Sequence, residues 1–445
     1  MTSSAQHTPA GGRFARMGRA LRHRNYRLFF AGQSISFIGN WLTHVASGWI
    51  IYRITGSALL LGIAAFASQA PSFFLSPFAG VWVDRMNKHR ALVVTQCLAM
   101  VQSGLLAYFA LTGTLGVYHI IALNLFQGLV SAVDIPVRQA FVVQMIEDRA
   151  DLGNALALNS SMVNSARLIG PTIAAALIGL VGEGYCFLID SVSYVAVLAS
   201  LLAMRVQHVP VVPTGKRVLT ELREGLSYVA NFPPIRAVLV LLTVFALGGM
   251  PYQTLLPVIA REQLGGEAAT LGVLTAASGA GALFGALNLA ARPSVLGLGK
   301  VINNAGLAFG LALMALSQSR WLALSLPLMV ATGAGMMMQL AACNTIVQTL
   351  VDEDKRGRVM ALYSMAVFGV MPFGSLIAGR LSDAFGAGNT LLVGGAICCG
   401  ASLSFRNTLP RLRDHIRPIY VRLGILPELE SSVNEVVHAS EPPPA

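Results

Sequence analysis

"VQMIEDRADLGNALALNS" at residues 143–160 aligns without a gap with "VQTLVDEDKRGRVMALYS" at residues 347–364. Further along in the same register, Gly182 falls on Gly386. The match crosses a charged loop and continues into apolar sequence on its C-terminal side. Isolated identities in apolar sequence arise by chance, but an ungapped match through a loop and a helix indicates two related parts in one chain.

The composition of the chain is that of a membrane protein. Of its 445 residues, 55% are hydrophobic and 11% are charged, and the mean hydropathy is +0.65, whereas an ordinary soluble domain carries about 25% charged residues. Uninterrupted apolar runs of about 20 residues predict membrane-spanning helices and argue against a membrane β-barrel. About twelve such runs are present. They lie at 28–52, 58–83, 91–112, 117–143, 155–181, 185–204, 237–259, 269–291, 300–317, 321–346, 359–381 and 388–405.

The formal net charge of +11 is distributed unevenly along the chain. Arginine and lysine collect in the N-terminal tail, in alternate loops and in the C-terminal tail, whereas the intervening loops hold few of them. This positive-inside pattern predicts a multi-pass protein of the cell inner membrane with both termini in the cytoplasm. Because the charges separate into alternate loops, the pattern argues against nucleic-acid binding.

A polar stretch between the sixth and seventh apolar runs divides the chain. Within it, LTELREGLSYV at residues 219–229 predicts a short interfacial helix, and a solvated irregular linker is the alternative. We therefore expect five segments. They are a basic cytoplasmic tail at 1–26, a six-helix bundle at 27–206, a cytoplasmic linker at 207–236, a second six-helix bundle at 237–408 and a cytoplasmic tail at 409–445 with a disordered end.

Several motifs resemble those of the major facilitator superfamily of transporters. They include GVWVDRMNKHR at residues 80–90 and RLIGPTIAA at residues 167–175. LRHRNYRLFFAGQSISFIGNWL, DIPVRQAFV and LREGLSYV are similar, more narrowly, to the enterobactin-exporter-like, drug-efflux branch of transmembrane secretion effectors. The resemblance covers roughly residues 20–410. It implies an all-α membrane protein with twelve transmembrane helices in two pseudo-symmetric halves of six.

The charged loop after the second apolar run matches the cytoplasmic gating pattern of the superfamily. The resemblance implies that Asp84 accepts hydrogen bonds from arginines and faces the N-terminal end of span eleven near Arg358, which would hold the cytoplasmic side shut. The alternative is that the basic residues are ordinary positive-inside anchors. The corresponding loop of the second half contains no aspartate, so we expect a one-sided lock. Its candidate residues are Gly80, Asp84, Arg85, Lys88, Arg90 and Arg358.

Charged residues inside the apolar runs are the candidates for energy coupling. A charge near the middle of a membrane helix is costly without a partner or a wet cavity. For Arg167 we expect Asp134 or Asp190 as the partner, although Arg138 can satisfy Asp134 at i,i+4 spacing. Carboxylates in a low-dielectric site can exchange protons near neutral pH, and we rank Asp190 first. The alternative is a static ion network. The candidates are Asp190, Asp134, Arg138, Arg167 and His44.

Gly170 and Pro171 follow Arg167 inside the fifth apolar run. Proline removes one backbone hydrogen bond and bends a helix, while glycine permits close packing. The resemblance relates this pair to a glycine-rich motif of antiporters, here in a degenerate form, and this favours export.

Polar side chains inside the apolar runs predict a central, water-filled cavity. In span one, Gln33 and Asn40 belong to a polar face with helical spacing. For each such residue, a hydrogen bond between helices is the alternative. The cavity candidates are Gln33, Asn40, Gln69, Gln127, Gln253, Asn344 and Gln348.

These patterns predict a secondary active exporter of an amphipathic small molecule, siderophore-like or drug-like, that works by alternating access. We expect the proton gradient as its energy source and no cofactor or metal. Its partners would be substrate, protons and the lipid bilayer, and we expect a monomer. Uptake of a polar solute and, less favoured, metal efflux are the alternatives. The sequence contains no HExxH, GxSxG or GxxxxGK[ST] motif, which argues against an intramembrane hydrolase and an ATP-driven pump.

Overall fold

A computed structural model describes residues 19–146, 148–206, 218–292 and 294–423, apart from the side chains of residues 76–85, 149, 218, 219, 221 and 222. All regular secondary structure in these residues is helical. The α-helices are α1 Arg24–Thr55, α2 Ala58–Arg85, α3 Lys88–Leu111, α4 Val117–Gln144, α5 Leu152–Val181, α6 Glu183–Leu202, α7 Val218–Asn231, α8 Pro233–Gly248, α9 Tyr252–Val258, α10 Ala268–Ala290, α11 Leu298–Gln318, α12 Leu322–Leu350, α13 Arg356–Ser364, α14 Met371–Phe385 and α15 Ala387–Arg422.

Eleven helical segments of the described residues are long and apolar enough to cross a membrane. Two of them are interrupted helices, which the sequence patterns did not predict. One runs from Pro233 to Gln263 and comprises α8, α9 and a π-helical turn, and the other runs from Arg356 to Phe385 and comprises α13, a π-helical turn and α14. The 32-residue helix α1 is not among the eleven, because polar residues such as Asn40 and His44 lower its hydropathy.

The helix expected in the central linker is present as α7. It packs against α13, where Nη1 of Arg358 lies 2.7 Å from Oε2 of Glu224. The hydroxyl of Tyr228 donates a 3.0 Å hydrogen bond to Asp352 in the turn between α12 and α13. Burial raises the pKa of Tyr228, so this hydroxyl keeps its proton and remains a donor. The amphipathic helix is therefore fixed to one end of the helical bundle.

The last helix is longer than the apolar pattern indicates. We expected a span at 388–405 and a separate tail from residue 409, but α15 continues to Arg422 through Pro410 and Pro418. Residues 1–18 and 424–445, which include most of the expected tails, lie outside the described residues.

The two most extensive helix crossings between the first six helices and the later ones are those of α2 with α14 and of α5 with α10. Both depend on the absence of a side chain. A Cβ atom on Gly62 would lie 2.6 Å from the carbonyl oxygen of Ser375, and one on Gly272 would lie 2.8 Å from that of Pro171. Small residues thus let the backbones approach closely, as is common where membrane helices pack.

The internal repeat has a counterpart in backbone conformation. Gly182, between α5 and α6, has φ 90° and ψ 169°, and Gly386, between α14 and α15, has φ 85° and ψ 152°. A positive φ of this kind favours glycine. The two positions that match in sequence therefore make the same type of turn between consecutive helices.

Candidate functional site

A cavity of about 400 Å³ lies between the first six helices and the later ones. Its walls come from α1 to α6 on one side and from α9, α10 and α14 on the other. Seven of the residues selected from the sequence line it, and they supply both amides and charges. They are Asn40, His44, Gln69, Gln127, Arg167, Asp190 and Gln253.

Five other selected residues do not line this cavity: Gln33, Asp134, Arg138, Asn344 and Gln348. Oε1 of Gln33 accepts a 3.3 Å hydrogen bond from Arg138. Nε2 of Gln348 donates a 2.8 Å hydrogen bond to Oδ1 of Asn344, one turn earlier on α12. The bond of Gln33 joins α1 to α4, as in the alternative of a hydrogen bond between helices, whereas the bond between Gln348 and Asn344 lies within α12.

Asp134 on α4 is fully engaged in a buried polar cluster. Its Oδ1 accepts hydrogen bonds of 2.8 Å from both Thr95 and Gln96 of α3. Its Oδ2 lies 3.4 Å from the guanidinium of Arg138, which also lies 4.8 Å over the ring of Phe37. The cluster joins α1, α3 and α4 and has the character of a static packing network.

Asp190 on α6 has a different environment. Its side chain lines the cavity, although the residue is only 1% exposed. Oδ2 accepts 2.7 Å hydrogen bonds from Thr43 and Ser103, whereas Oδ1 has no hydrogen-bond partner among the described residues. A buried carboxylate oxygen without a donor is costly, and protonation of this carboxyl group or a bound water molecule would remove that cost.

Arg167 on α5 contradicts the expectation of an ion pair. Neither Asp134 nor Asp190 lies within 4.0 Å of its guanidinium, and the described residues supply it with no hydrogen bond or ion pair. Asp134 pairs with Arg138 instead. The backbone of Arg167 packs at the α5–α10 crossing, where its carbonyl oxygen lies 3.2 Å from the position that a Cβ on Gly279 would occupy.

Further polar residues that the sequence analysis did not select also line the cavity. Those on α4 recur every three or four residues with Gln127, so the spacing argument applied to span one would have found them. Tyr252 was hidden by the break in the seventh span, and its hydroxyl lies 2.8 Å from that of Ser278 on α10. These further residues include Ser68, Gln102, Asn124, Ser131, Tyr252, Thr254, Thr275 and Ser278.

Polar contacts join the first six helices to the later ones at the end where α1 joins α2 and α14 joins α15. The carboxylate of Asp383, on α14, accepts hydrogen bonds from the first backbone N–H groups of α2, 2.6 Å from Ala58 and 3.1 Å from Leu59. It also accepts a 2.8 Å bond from the hydroxyl of Ser57. Nearby, the hydroxyl of Tyr52 on α1 donates a hydrogen bond to Glu262, at the end of the seventh span.

The lock expected at the opposite end is only partly described. The surroundings of Gly80 and the side chains of Asp84 and Arg85 are not among the described parts of the structure. Lys88 and Arg90 lie in the first turn of α3, where Asn87 caps the helix by accepting a 3.1 Å hydrogen bond from the backbone of Arg90. Arg358, the expected partner on span eleven, is paired with Glu224.

Among the described residues, no group of three or more histidine, cysteine, aspartate or glutamate side chains is placed to hold a metal ion. The polar side chains that line the cavity include amides, hydroxyls, one imidazole, one carboxylate and one guanidinium. This set can bind a polar or charged group of an organic molecule.

Comparisons with known proteins agree with this architecture. The family model for transmembrane secretion effectors matches residues 18–421. The staphyloferrin A transporter of Staphylococcus aureus is 26% identical over 394 residues, covering 87% of this chain and 97% of that protein. The multidrug efflux pump Tap of Mycolicibacterium fortuitum is 24% identical over 365 residues, covering 80% and 88%. A bacterial homologue of the human lysosomal transporter Spinster has the same fold, with a TM-score of 0.68, 14% identity and coverage of 88% and 96%.

Proposed function

The chain belongs to the transmembrane secretion effector family of the major facilitator superfamily, and from that premise we propose that it exports an amphipathic small molecule in exchange for protons. As a member of this family it is a multi-pass secondary transporter of the membrane and not an enzyme. The observation that carries the proposal is the polar cavity between the first six helices and the later ones. Hydrogen bonds join the two groups of helices at one end, which we propose is the closed end of the cavity.

The proposed architecture has twelve spans in two halves, with α1 as the first span. The halves comprise residues 27–206 and 237–408, joined by a linker at 207–236 that contains α7. The match of Gly182 with Gly386 in sequence and backbone conformation supports this division. The two close crossings, α2 with α14 and α5 with α10, then lie at the interface of the halves, where parallel repeats of a transporter rock against each other.

We propose that the protein lies in the cell inner membrane with both termini in the cytoplasm, as the positive-inside pattern indicates. The closed end of the cavity, at Asp383 and Tyr52, is then periplasmic. Exposed polar side chains, including Ser161 and Ser165 on α5 and Gln348 on α12, occupy the cytoplasmic part of long apolar helices. Since polar groups in membrane helices face protein or water, these residues support an opening toward the cytoplasm.

The names of similar proteins support export. One relative is named a staphyloferrin A transporter and another a multidrug efflux pump. The cavity combines polar groups with apolar side chains such as Trp41, Leu256 and Met371, which suits an amphipathic ligand. Its volume of about 400 Å³ lies within the range of small-molecule sites, about 300–1,000 Å³.

Asp190 is the proposed coupling residue, with His44 as a second titratable group in the cavity and the proton gradient as the only energy source. Its unpartnered Oδ1 can take up a proton when the cavity is wet, whereas Asp134 is held by Thr95, Gln96 and Arg138. We propose a monomer that requires no cofactor, with substrate, protons and lipid as its partners.

The cytoplasmic lock completes the proposed cycle. In the outward-facing state, Asp84 would face the N-terminal end of α13, and Arg358 would leave Glu224 for the closed contact. The present ion pair between Arg358 and Glu224, at 2.7 Å, then belongs to the open cytoplasmic side.

Transport by inside-out membrane vesicles tests the proposal. Three fluorescent amphiphiles with the same dansyl group are supplied: anionic dansylglycine, neutral dansylglycinamide and cationic dansylcadaverine. We expect vesicles containing the protein to accumulate at least one of them when a proton gradient is imposed. Accumulation that persists after a protonophore is added would contradict proton coupling, and accumulation no greater than in vesicles without the protein would contradict export.

A further inference from the structure

We propose that the substrate carries an anionic group, such as a carboxylate or a phosphate, and that Arg167 binds it. This inference rests on the proposed function and specifies the substrate class that the cavity takes.

The first argument is the missing counter-ion of Arg167. Two other arginines of the membrane helices are paired with acids: Arg138 lies 3.4 Å from Asp134, and Arg53 lies 3.2 Å from Glu183. Arg167 lines the cavity and has no such partner among the described residues. A guanidinium near the middle of a membrane helix is costly unless an anion or water compensates it. An anionic ligand would supply the counter-ion that the described residues do not provide.

The second argument is the chemistry around Arg167. Asp190 also lines the cavity, but its Oδ2 is occupied by Thr43 and Ser103, and it lies beyond 4.0 Å from the guanidinium. Buried Oε1 of Gln127 and Nε2 of Gln102 have no hydrogen-bond partner among the described residues. Among the described residues, the cavity wall thus contains one guanidinium without an acid partner and amide atoms without a hydrogen-bond partner.

The third argument is position. The backbone of Arg167 lies at the α5–α10 crossing, and Thr275 on α10 lines the same cavity. An anion held by Arg167 would therefore sit at the interface of the two proposed halves, where both contact the ligand. Arginine suits this role because its planar guanidinium can donate two parallel hydrogen bonds to a carboxylate or a phosphate.

Binding of a matched pair of ligands tests the inference. Purified protein in lipid nanodiscs is titrated with dansylglycine and with dansylglycinamide, which has nearly the same shape and no charge. We expect the anion to bind at least about tenfold more tightly, as for a charge-assisted hydrogen bond. Arg167→Gln should abolish this preference by weakening binding of the anion much more than binding of the amide, and Arg167→Lys should retain part of it. Arg320→Gln, the same change at an exposed loop position, should leave the preference intact.

Equal affinities of the wild-type protein for the two ligands, or no binding of the anion at millimolar concentration, would overturn the inference. An equal loss of both affinities in Arg167→Gln would overturn it too, because it would indicate a purely structural role. The transport assay separates the two proposals. Accumulation of dansylcadaverine but not of dansylglycine leaves export intact and refutes the anion site.

A second measurement does not depend on the ligand or on tight binding. In a protein whose five cysteines are replaced by alanine, Thr275→Cys is reacted with two methanethiosulfonates, one anionic (sulfonatoethyl) and one cationic (trimethylammonioethyl). We expect the ratio of the anionic to the cationic rate to fall severalfold when Arg167→Gln is added. An unchanged ratio would show that Arg167 does not set the potential in the cavity and would overturn the proposal.

Discussion

Asp134 and Asp190 are both buried carboxylates in membrane helices, yet their surroundings give them different chemistry. Two side-chain donors and the guanidinium of Arg138 satisfy Asp134. Asp190 has two donors on one oxygen and none on the other, and it borders the cavity. Asp190 borders the cavity and forms no ion pair with the described residues, so of these two carboxylates it is the one that we propose for a role requiring protonation in each cycle.

Asp190→Asn is therefore expected to uncouple transport from protons. The amide keeps the size of the side chain but cannot take up or release a proton. Exchange of labelled dansylglycine across proteoliposomes should continue, while accumulation driven by a pH gradient should fall at least about tenfold, the scale of losing one required titratable group. Asp414→Asn, at an exposed position of α15, serves as the matched control. Normal pH-driven accumulation by Asp190→Asn would refute the assignment.

Asp134→Asn is expected to reduce stability and not coupling. Arg138, with a side chain 19% exposed, would lose its counter-ion, and an unsatisfied buried polar group costs about 1–3 kcal/mol. The unfolding temperature in detergent should fall accordingly. The double variant Asp134→Asn with Arg138→Gln should recover part of the loss, because the uncompensated charge is gone. A single variant as stable as the wild type would show that the cluster does not stabilise the bundle.

The contact between α2 and α14 depends on the N-terminus of α2. The first backbone N–H groups of α2 have no acceptor within their own helix, as at every helix start. Asp383 of α14 accepts two of them, and its negative charge also interacts favourably with the positive end of the helix dipole. Glycines on both helices permit the approach, since a Cβ on Gly379 would lie 2.5 Å from the carbonyl oxygen of Ala58. The α2–α14 contact is thus a polar latch seated on close backbone packing.

Asp383→Ala should weaken this latch and shift the protein toward the state that is open at this end. Loss of a capping side chain costs about 1 kcal/mol, which corresponds to a shift of roughly fivefold between two states. Spin labels are placed at Thr114 and Arg320, in loops at the proposed closed end. Double electron–electron resonance should show an increased population of long distances between the two labels. Glu267→Ala is the matched control, because Glu267 stands at the N-terminus of α10 without capping it. An unchanged distance distribution in Asp383→Ala would contradict the latch.

At the scale of the whole molecule, the two proposed halves meet around the cavity. The α5–α10 crossing lies beside Arg167, and the latch at Asp383 and the hydrogen bond from Tyr52 to Glu262 lie at the proposed closed end. Exposed polar residues on α5 and α12 occupy the other end. With the proposed orientation, this arrangement corresponds to the state of an alternating-access cycle in which the cytoplasmic side is open.

Labelling from each side of the membrane checks this state and its orientation. In the cysteine-free protein, Ser161→Cys should react with a membrane-impermeant maleimide in inside-out vesicles and resist it in right-side-out vesicles. Thr114→Cys, in the loop between α3 and α4, should show the opposite behaviour. Reaction of both positions from the same side would contradict the proposed orientation, and protection of Ser161→Cys from both sides would contradict an open cytoplasmic entrance.

The sequence by itself determined the properties that depend on composition and periodicity. Long apolar runs specified helices because hydrocarbon requires every backbone polar group to bond within its own segment. The internal repeat and the motifs specified the family, which the family model confirms for residues 18–421. The polar face of α1 indicated a cavity, because polar groups with helical spacing must share one side.

Only the tertiary structure decided which polar groups meet. Asp134, Asp190 and Arg167 look alike in sequence, as single charges in apolar runs, but partner choice depends on distances between helices that spacing along the chain does not encode. The same holds for Asp383, whose importance comes from the start of another helix, and for Tyr252, which reaches the cavity because the seventh span is broken. The length of α15 also escaped the pattern, because polar sequence can continue a helix beyond the apolar run that began it.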